Sequence, residues 1–392
     1  MAIIPSNTQF RGDTTGVPIV EKGSAQVNAR ASFFTMADIA QSVGGLSGSG
    51  TINKVAKFTA TDTVGDGLIT DDGTSVNNTG AGGIATNTAF GVGSLISNTT
   101  GEPNTAIGNS ALYSNTTGSY NTANGNNALY NNTTGNRNIA NGSSALYSNT
   151  AGSDNTANGY RSLYNNTTGI NNTASGYQSL YYNTTGGSNV ALGAYSLLNN
   201  ITGANNTASG FGSLQINTTG ANNVASGYQS LYGNTSGSDN VALGAYSLLN
   251  NTTGFRNIAS GTKSLFNNTT GFRNVVSGYE SMFNNISGSD NVGSGYQVFL
   301  SNTTGSENVG IGVQALSSNT TGSSNTAIGR SSNSGNFSGS TILGHSATAT
   351  ADNQFVVGSV GTVAGVVATV TTAQSKVWNV VINGVAQQIL LA

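Results

Sequence analysis

Cysteine is absent from all 392 residues, so neither a disulfide framework nor a thiolate metal site holds this chain together. Charge is scarce too: 12 basic and 14 acidic side chains make up 7% of the residues and leave a net charge of −2. With no basic stripe to neutralise phosphates, nucleic acid is not an expected partner. No apolar run reaches the roughly 18 residues needed to cross a bilayer as a helix, and membrane insertion is not expected. The opening MAIIPSNTQFRGD turns polar after Ile4 without a basic segment and apolar core, and so reads as lacking a secretory signal. The single histidine, His345, offers no partner cluster for a His-dependent triad. Asp71 and Asp72 fall in a Thr-Asp-Asp-Gly turn rather than in a catalytic carboxylate pair. The many glycine spacings are not followed by lysine in a phosphate-binding context. The sequence therefore reads as that of a non-enzyme with no metal and no cofactor.

What is present is pattern. Fifty-five glycines with abundant Asn, Thr and Ser would suit a disordered chain if they were scattered. Here they recur every 17 residues, fifteen times, from Asn87 to the copy that begins at Asn325. The unit is N-[TVI]-A-x-G-x-x-[SA]-L-Y-x-N-T-T-G-x-x, with Asn at positions 1 and 12 and Gly at positions 5 and 15. Helix-pair repeats need about 33 residues or more, whereas a unit this short suits one turn of a β-solenoid. The predicted fold is all-β: a parallel β-solenoid, or β-roll, of fifteen 17-residue coils spanning about 70 Å at a spacing near 4.8 Å. Each coil is expected to hold two short strands, N-[TV]-A-x-G and [SA]-L-Y-x.

Columns then follow from stacking. Asn104, Asn121, Asn138 and Asn155 at position 1, with Asn115, Asn132 and Asn149 at position 12, are expected to form side-chain amide ladders, and the position-12 Asn to close an Asx-turn. Gly108 and Gly125 at position 5, with Gly118 and Gly135 at position 15, are expected to supply positive-φ corners. Columns of Leu, Ala and Thr or Val are expected to fill a thin interior. Such a solenoid would be marginal alone. The column of Tyr113, Tyr130, Tyr147 and Tyr164 at position 10, facing away from Leu, and the small Ala106 and Ala123 at position 3 are candidate contacts between copies. Two further copies around one axis are the expected partners.

The segments NTAIG at Asn104–Gly108 and NVALG at Asn189–Gly193 resemble the signature of YadA-like trimeric autotransporter head repeats. DNQFVVGS at Asp352–Ser359 resembles the exit from such a head. The resemblance implies a left-handed parallel β-roll in a trimer. The family's unit is shorter, and the extra residues here fall in L-Y-x-N-T-T-G.

The flanks divide the rest. Residues 1–43, rich in charge, read as an attachment module with a short helix near Met36–Val43 capped by Thr35. Residues 44–86 combine the linker GGLSGSG with an alternating pair of short strands over Lys54–Thr70. Residues 87–341 form the shaft, 342–359 a cap, and 360–392 a β-rich tip with a hairpin at Asn383-Gly384. Trp378 in that tip is a candidate receptor contact beside its ordinary role in packing.

This layout resembles bacteriophage tail or capsid fibres. It implies a virion protein that docks through residues 1–43 and meets a host-surface glycan or protein distally. The alternatives are a bacterial trimeric autotransporter-type adhesin and an ice- or surface-binding solenoid, the latter from stacked threonines such as Thr116 and Thr117. Arg137, Arg256 and Arg273 at position 17 are exposed candidates for contact, with solubility as their plain role. The N-x-[ST] sequons at Asn98 and Asn115 follow from the repeated NTTG corner and carry no separate meaning.

Overall fold

The computed structural model describes Ile84 and residues 86–358 in full and, outside them, only the backbone of seven short strands. Near the N-terminus β1 (Phe10–Gly12) pairs antiparallel with β2 (Pro18–Val20). Next, β3 (Lys54–Ala60), β4 (Thr63–Asp71) and β5 (Val76–Asn78) form a three-stranded antiparallel sheet. The helix expected over Met36–Val43 lies outside the described residues, and no helix occurs within them.

From residue 88 the chain winds through about sixteen turns. Seventeen three-residue strands, from β6 (Thr88–Phe90) and β7 (Thr105–Ile107) to β22 (Phe355–Val357), pair parallel, each with the next. The register is the repeat itself: Thr105 faces Thr122 and Ala106 faces Ala123. The sheet is open, with β6 and β22 as its edges. Beyond it, β23 (Lys376–Ile382) and β24 (Val385–Leu391) pair antiparallel across Asn383-Gly384.

Each coil holds one strand, at positions 2 to 4, where two were expected. Positions 8 to 11 form turns. The reason is local: position 9 is left-handed from Leu95 to Leu316, with Leu112 at φ 51° and Leu180 at φ 50°, and so are position 7 and, from Tyr120 to Ser324, position 17. Such residues curl the chain and cannot continue a pleated strand. Hydrogen bonding between coils nevertheless runs round the circumference. Leu112 N–H donates to Ala128 O at 2.9 Å and Ser114 N–H to Tyr130 O at 2.9 Å, outside any strand.

Alternation within the strand places position 3 inside and positions 2 and 4 outside. Leu112, Leu129 and Leu146 at position 9 are fully buried, as are the Ala of position 3 and the Ser or Ala of position 8. The Thr or Val column of position 2, expected inside, faces outward and is half-buried or exposed, because position 3 takes the inward place. Where Ser stands at position 8 its hydroxyl donates back to the corner glycine, as from Ser196 to Gly193 O at 2.8 Å, except at Ser281, which donates to Gly295 O of the next coil at 2.8 Å.

The period shortens at the end of the stack. Thr326 pairs with Thr341, and Thr341 with Phe355. Asn336 and Gly339 therefore leave the columns that sequence spacing assigns to them. Ser334 takes the place of a position-12 Asn, donating from Oγ to Asn319 Oδ1 at 2.9 Å. Asn336 instead turns its Oδ1 to the N–H groups of Thr320, Thr321 and Gly322 at 3.0, 2.7 and 3.1 Å. In earlier coils a backbone carbonyl does this work: Thr99, Thr100 and Gly101 N–H all point at Thr116 O.

Candidate interaction surface

The polar columns lie inside. Asn121 donates from Nδ2 to Gly135 O at 2.9 Å, and its Oδ1 accepts from the N–H and Nδ2 of Asn138 at 3.0 and 3.2 Å. Asn104, Asn138 and Asn155 repeat the pattern toward Gly118, Gly152 and Gly169. In the second column Asn132 donates to Asn115 Oδ1 at 2.7 Å and Asn149 to Asn132 Oδ1 at 2.8 Å. Each also donates to the glycine carbonyl three residues on, as Asn115 does to Gly118 O at 2.9 Å. The position-12 Asn thus bonds forward through its amide nitrogen, and the Asx-turn expected of it is not made. The two ladders converge on the Gly carbonyl of position 15. All these amides are buried with their bonding capacity used, and a missing partner would cost about 1–3 kcal/mol.

The two glycine columns have different causes. Gly108 and Gly125, at φ 132° and 143°, occupy backbone space that side chains avoid. Gly118 and Gly135 have no such φ, contrary to expectation. Close approach requires them: a Cβ on Gly118 would run into Gly135 O and into the Oδ1 of Asn115.

Ala106 and Ala123 are fully buried within their own coils, so they cannot touch a second copy as expected; the small side chain is required by the narrow interior. Tyr113, Tyr130, Tyr147, Tyr164 and Tyr181 form a ladder of near-parallel rings with centroids 4.9 to 5.1 Å apart. Each of the five is half-buried against its neighbours. Ring pairs of this kind contribute about 0.5–1.5 kcal/mol each, so the column has a structural use in a single chain. Burial pushes the Tyr181 phenol above the usual tyrosine range, the Arg161 charge opposing it.

The more exposed apolar stripe is elsewhere, on the outer side of the strands and the corner after them. Position 2 gives Ile139, Ile258 and Val275, position 4 gives Ile107, Leu192 and Leu243, and position 6 gives Tyr177, Phe211 and Tyr228. Ile258 is 43% and Leu243 41% exposed. The signal was available in the alternation of N-T-A-x-G once Ala is taken as the inward residue.

Beside position 12 an open groove of about 750 Å³ runs along the axis between positions 11 and 13, with Asn165, Tyr182 and Asn199 on one wall and Thr167, Thr184 and Thr218 on the other. Charges pair along the columns: Arg137 with Asp154 at 2.5 Å, Arg273 with Asp290 at 2.6 Å, and Arg256 with Asp239 at 3.8 Å. Each arginine nominated for contact is thus exposed but already faces an acid. The Arg137 guanidinium, hydrogen-bonded to Asp154, holds that carboxyl below the usual range. The sequon residues Asn98 and Asn115 are buried in the ladder. His345 is exposed, and Trp378 stands in β23 opposite Ile389.

No family model matches the chain, and neither a curated protein nor a solved structure matches it.

Proposed function

We propose that this chain is the shaft of a homotrimeric adhesive fibre of a phage virion, non-enzymatic, docked on the particle through residues 1–43 and meeting the host surface distally. The observation that carries the reading is the set of exposed apolar side chains at positions 2, 4 and 6, which recurs along most of the stack and breaks at Thr122, Asn124 and Asn126, with no element among the described residues laid over Ile107, Leu192, Leu243 or Ile258. A stripe of that length exposed to water marks an interface, and identical columns on identical chains close by rotation about an axis parallel to the stack. Three chains meeting on their sheet faces bury the stripe and leave the axial groove and the charged columns outside. The Tyr column of position 10, half-covered already, is then a lateral surface rather than the seam.

Sedimentation and light scattering of the purified protein test the assembly. The expected particle is elongated with about three times the 39.4 kDa chain mass, and Leu243→Lys with Ile258→Lys dissociates it while circular dichroism stays unchanged. A compact monomer overturns the trimer. Retention of the fibre on host bacterial cells tests adhesion, and its absence there overturns that half of the reading.

A further inference from the structure

Among the described residues one buried side-chain polar atom has no hydrogen-bond partner: Nε of Arg161. Arg161 is at position 7 of its coil, with its guanidinium 5.0 Å from the ring centre of Tyr160 and 5.6 Å from that of Tyr164. Arg137, Arg256, Lys263 and Arg273 each face an acid; none of these ion pairs includes Arg161. The adjacent coils carry Ser144 and Gln178 at the same position, so no carboxylate lies above or below it in its column.

The surroundings are aromatic. Tyr160 stacks on Tyr177 at 5.4 Å and Tyr164 on Tyr181 at 5.1 Å, while Tyr181 packs edge-on against Tyr182 at 4.6 Å. Tyr182 lines the axial groove, so the cluster and the groove are continuous. A planar cation held between rings, with one donor desolvated and unused, is a poor arrangement for stability alone. A carboxylate would be held by the two terminal Nη groups, which are not among the buried unpaired atoms, in two parallel hydrogen bonds, while Nε itself has no surface for a ligand to reach. Phenol hydroxyls and ring edges alongside suit the hydroxyls and C–H groups of a sugar, and the uncharged groove walls, Asn and Thr interspersed with Ile201 and Ile216, offer a linear polymer both polar groups and apolar contact.

We infer that Arg161, with Tyr160, Tyr164, Tyr177 and Tyr181, forms a binding site for a carboxylate-bearing oligosaccharide that lies along the stack toward the groove at Tyr182. The assignment rests on the adhesive reading only for its setting, since the site belongs to a single chain.

The test is titration of the full-length protein with oligogalacturonate, with oligosialate, and with neutral galacto-oligosaccharides of equal length. The acidic oligomers are expected to bind, more weakly as salt rises, and the neutral ones at least about tenfold more weakly, a difference of about 1.4 kcal/mol. Arg161→Gln is expected to lower the acidic affinity by at least about tenfold. The fold should accommodate it, because Gln occupies the equivalent position as Gln178 and Gln229. Arg161→Lys keeps the charge but loses the fork and should also weaken binding, whereas Arg330→Gln, outside the cluster, should leave it unchanged. Failure of both acidic oligomers to bind, equal binding of the neutral ones, or undiminished binding by Arg161→Gln overturns the inference. Adhesion to cells without acidic-sugar binding removes the inference and leaves the adhesive fibre. Acidic-sugar binding without adhesion does the reverse.

Discussion

Two stretches of the stack solve the same packing problem differently. From Asn104 to Arg273 the interior is uniform, with Ala at position 3 and Leu at position 9 of every coil. From Asn274 to Ser324 it is not: Val276 accompanies Met282, and Gly293 and Gly310 flank Phe299. The changes compensate. A Cβ on Gly293 or Gly310 would come to about 3.0 Å from the Phe299 ring and to 3.2 or 2.9 Å from Val298 Cγ1, so the large ring and the valine beside it together occupy the room that two alanines give up. The amide ladders cross both stretches unaltered, with Asn274, Asn291 and Asn308 in one column and Asn285, Asn302 and Asn319 in the other. The apolar interior is thus held to a volume, while the polar columns are held to a residue. Close packing tolerates volume-conserving exchange, but a buried amide that loses its partner has no substitute.

The largest expected effect uses that contrast. Asn206→Ala in the uniform stretch and Asn291→Ala in the varied one should each cost about 2–4 kcal/mol in chemical denaturation, because each orphans the buried N–H of the next coil's Asn. Costs that differ between the stretches by more than about 1 kcal/mol would mean that the ladder depends on the local core after all.

A middle-sized effect concerns volume. Gly310→Ala alone should destabilise by about 1–3 kcal/mol through overpacking against Val298 and Phe299. In a background carrying both Val298→Ala and Phe299→Leu, which restores the small residue and Leu of the other coils, the same change should be close to neutral. The resulting coupling energy, about 0.5–3 kcal/mol, is read from a double-mutant cycle, and additivity would refute the compensation.

The smallest effect lies outside both interior systems. The depressed Asp154 carboxyl contributes stability above its unfolded value of about 3.9, and that contribution is lost as pH falls through the lower folded value. The gap in melting midpoint between the native protein and Asp154→Asn should accordingly be small at neutral pH and close below about pH 3. A gap that persists in acid would show that Asp154 acts by something other than its charge.

Much of the fold was legible because period and burial both write themselves into residue type. Seventeen-residue spacing, the inward Leu of position 9 and the polar columns needed no structure to find. Backbone conformation was not legible in the same way. Leu112 and Leu129 adopt left-handed φ with a side chain that carries no signal for it, so a turn read as a strand. The reason for Gly118 was hidden because close approach and positive φ select the same residue. Asn336 and Gly339 keep the 17-residue spacing although the coil there has shortened, so the sequence carries the repeat past the point where the chain does. The Arg161 cluster was invisible for another reason: position 7 varies from coil to coil, and only its neighbours in space show that this cation lacks an acid.

The fixed register of the stack also bears on how it forms. Sheet proteins are usually slow folders because their strands must find partners far along the chain, at a cost in loop closure. Here each strand between β6 and β20 (Thr326–Ile328) finds its partner one 17-residue coil away, a short closure set against the whole chain. Each finished coil presents a complete row of donors and acceptors to the next, so folding can proceed by zipping from any point once a few coils have formed. A shaft built this way should gain order at nearly the same rate however many coils are added.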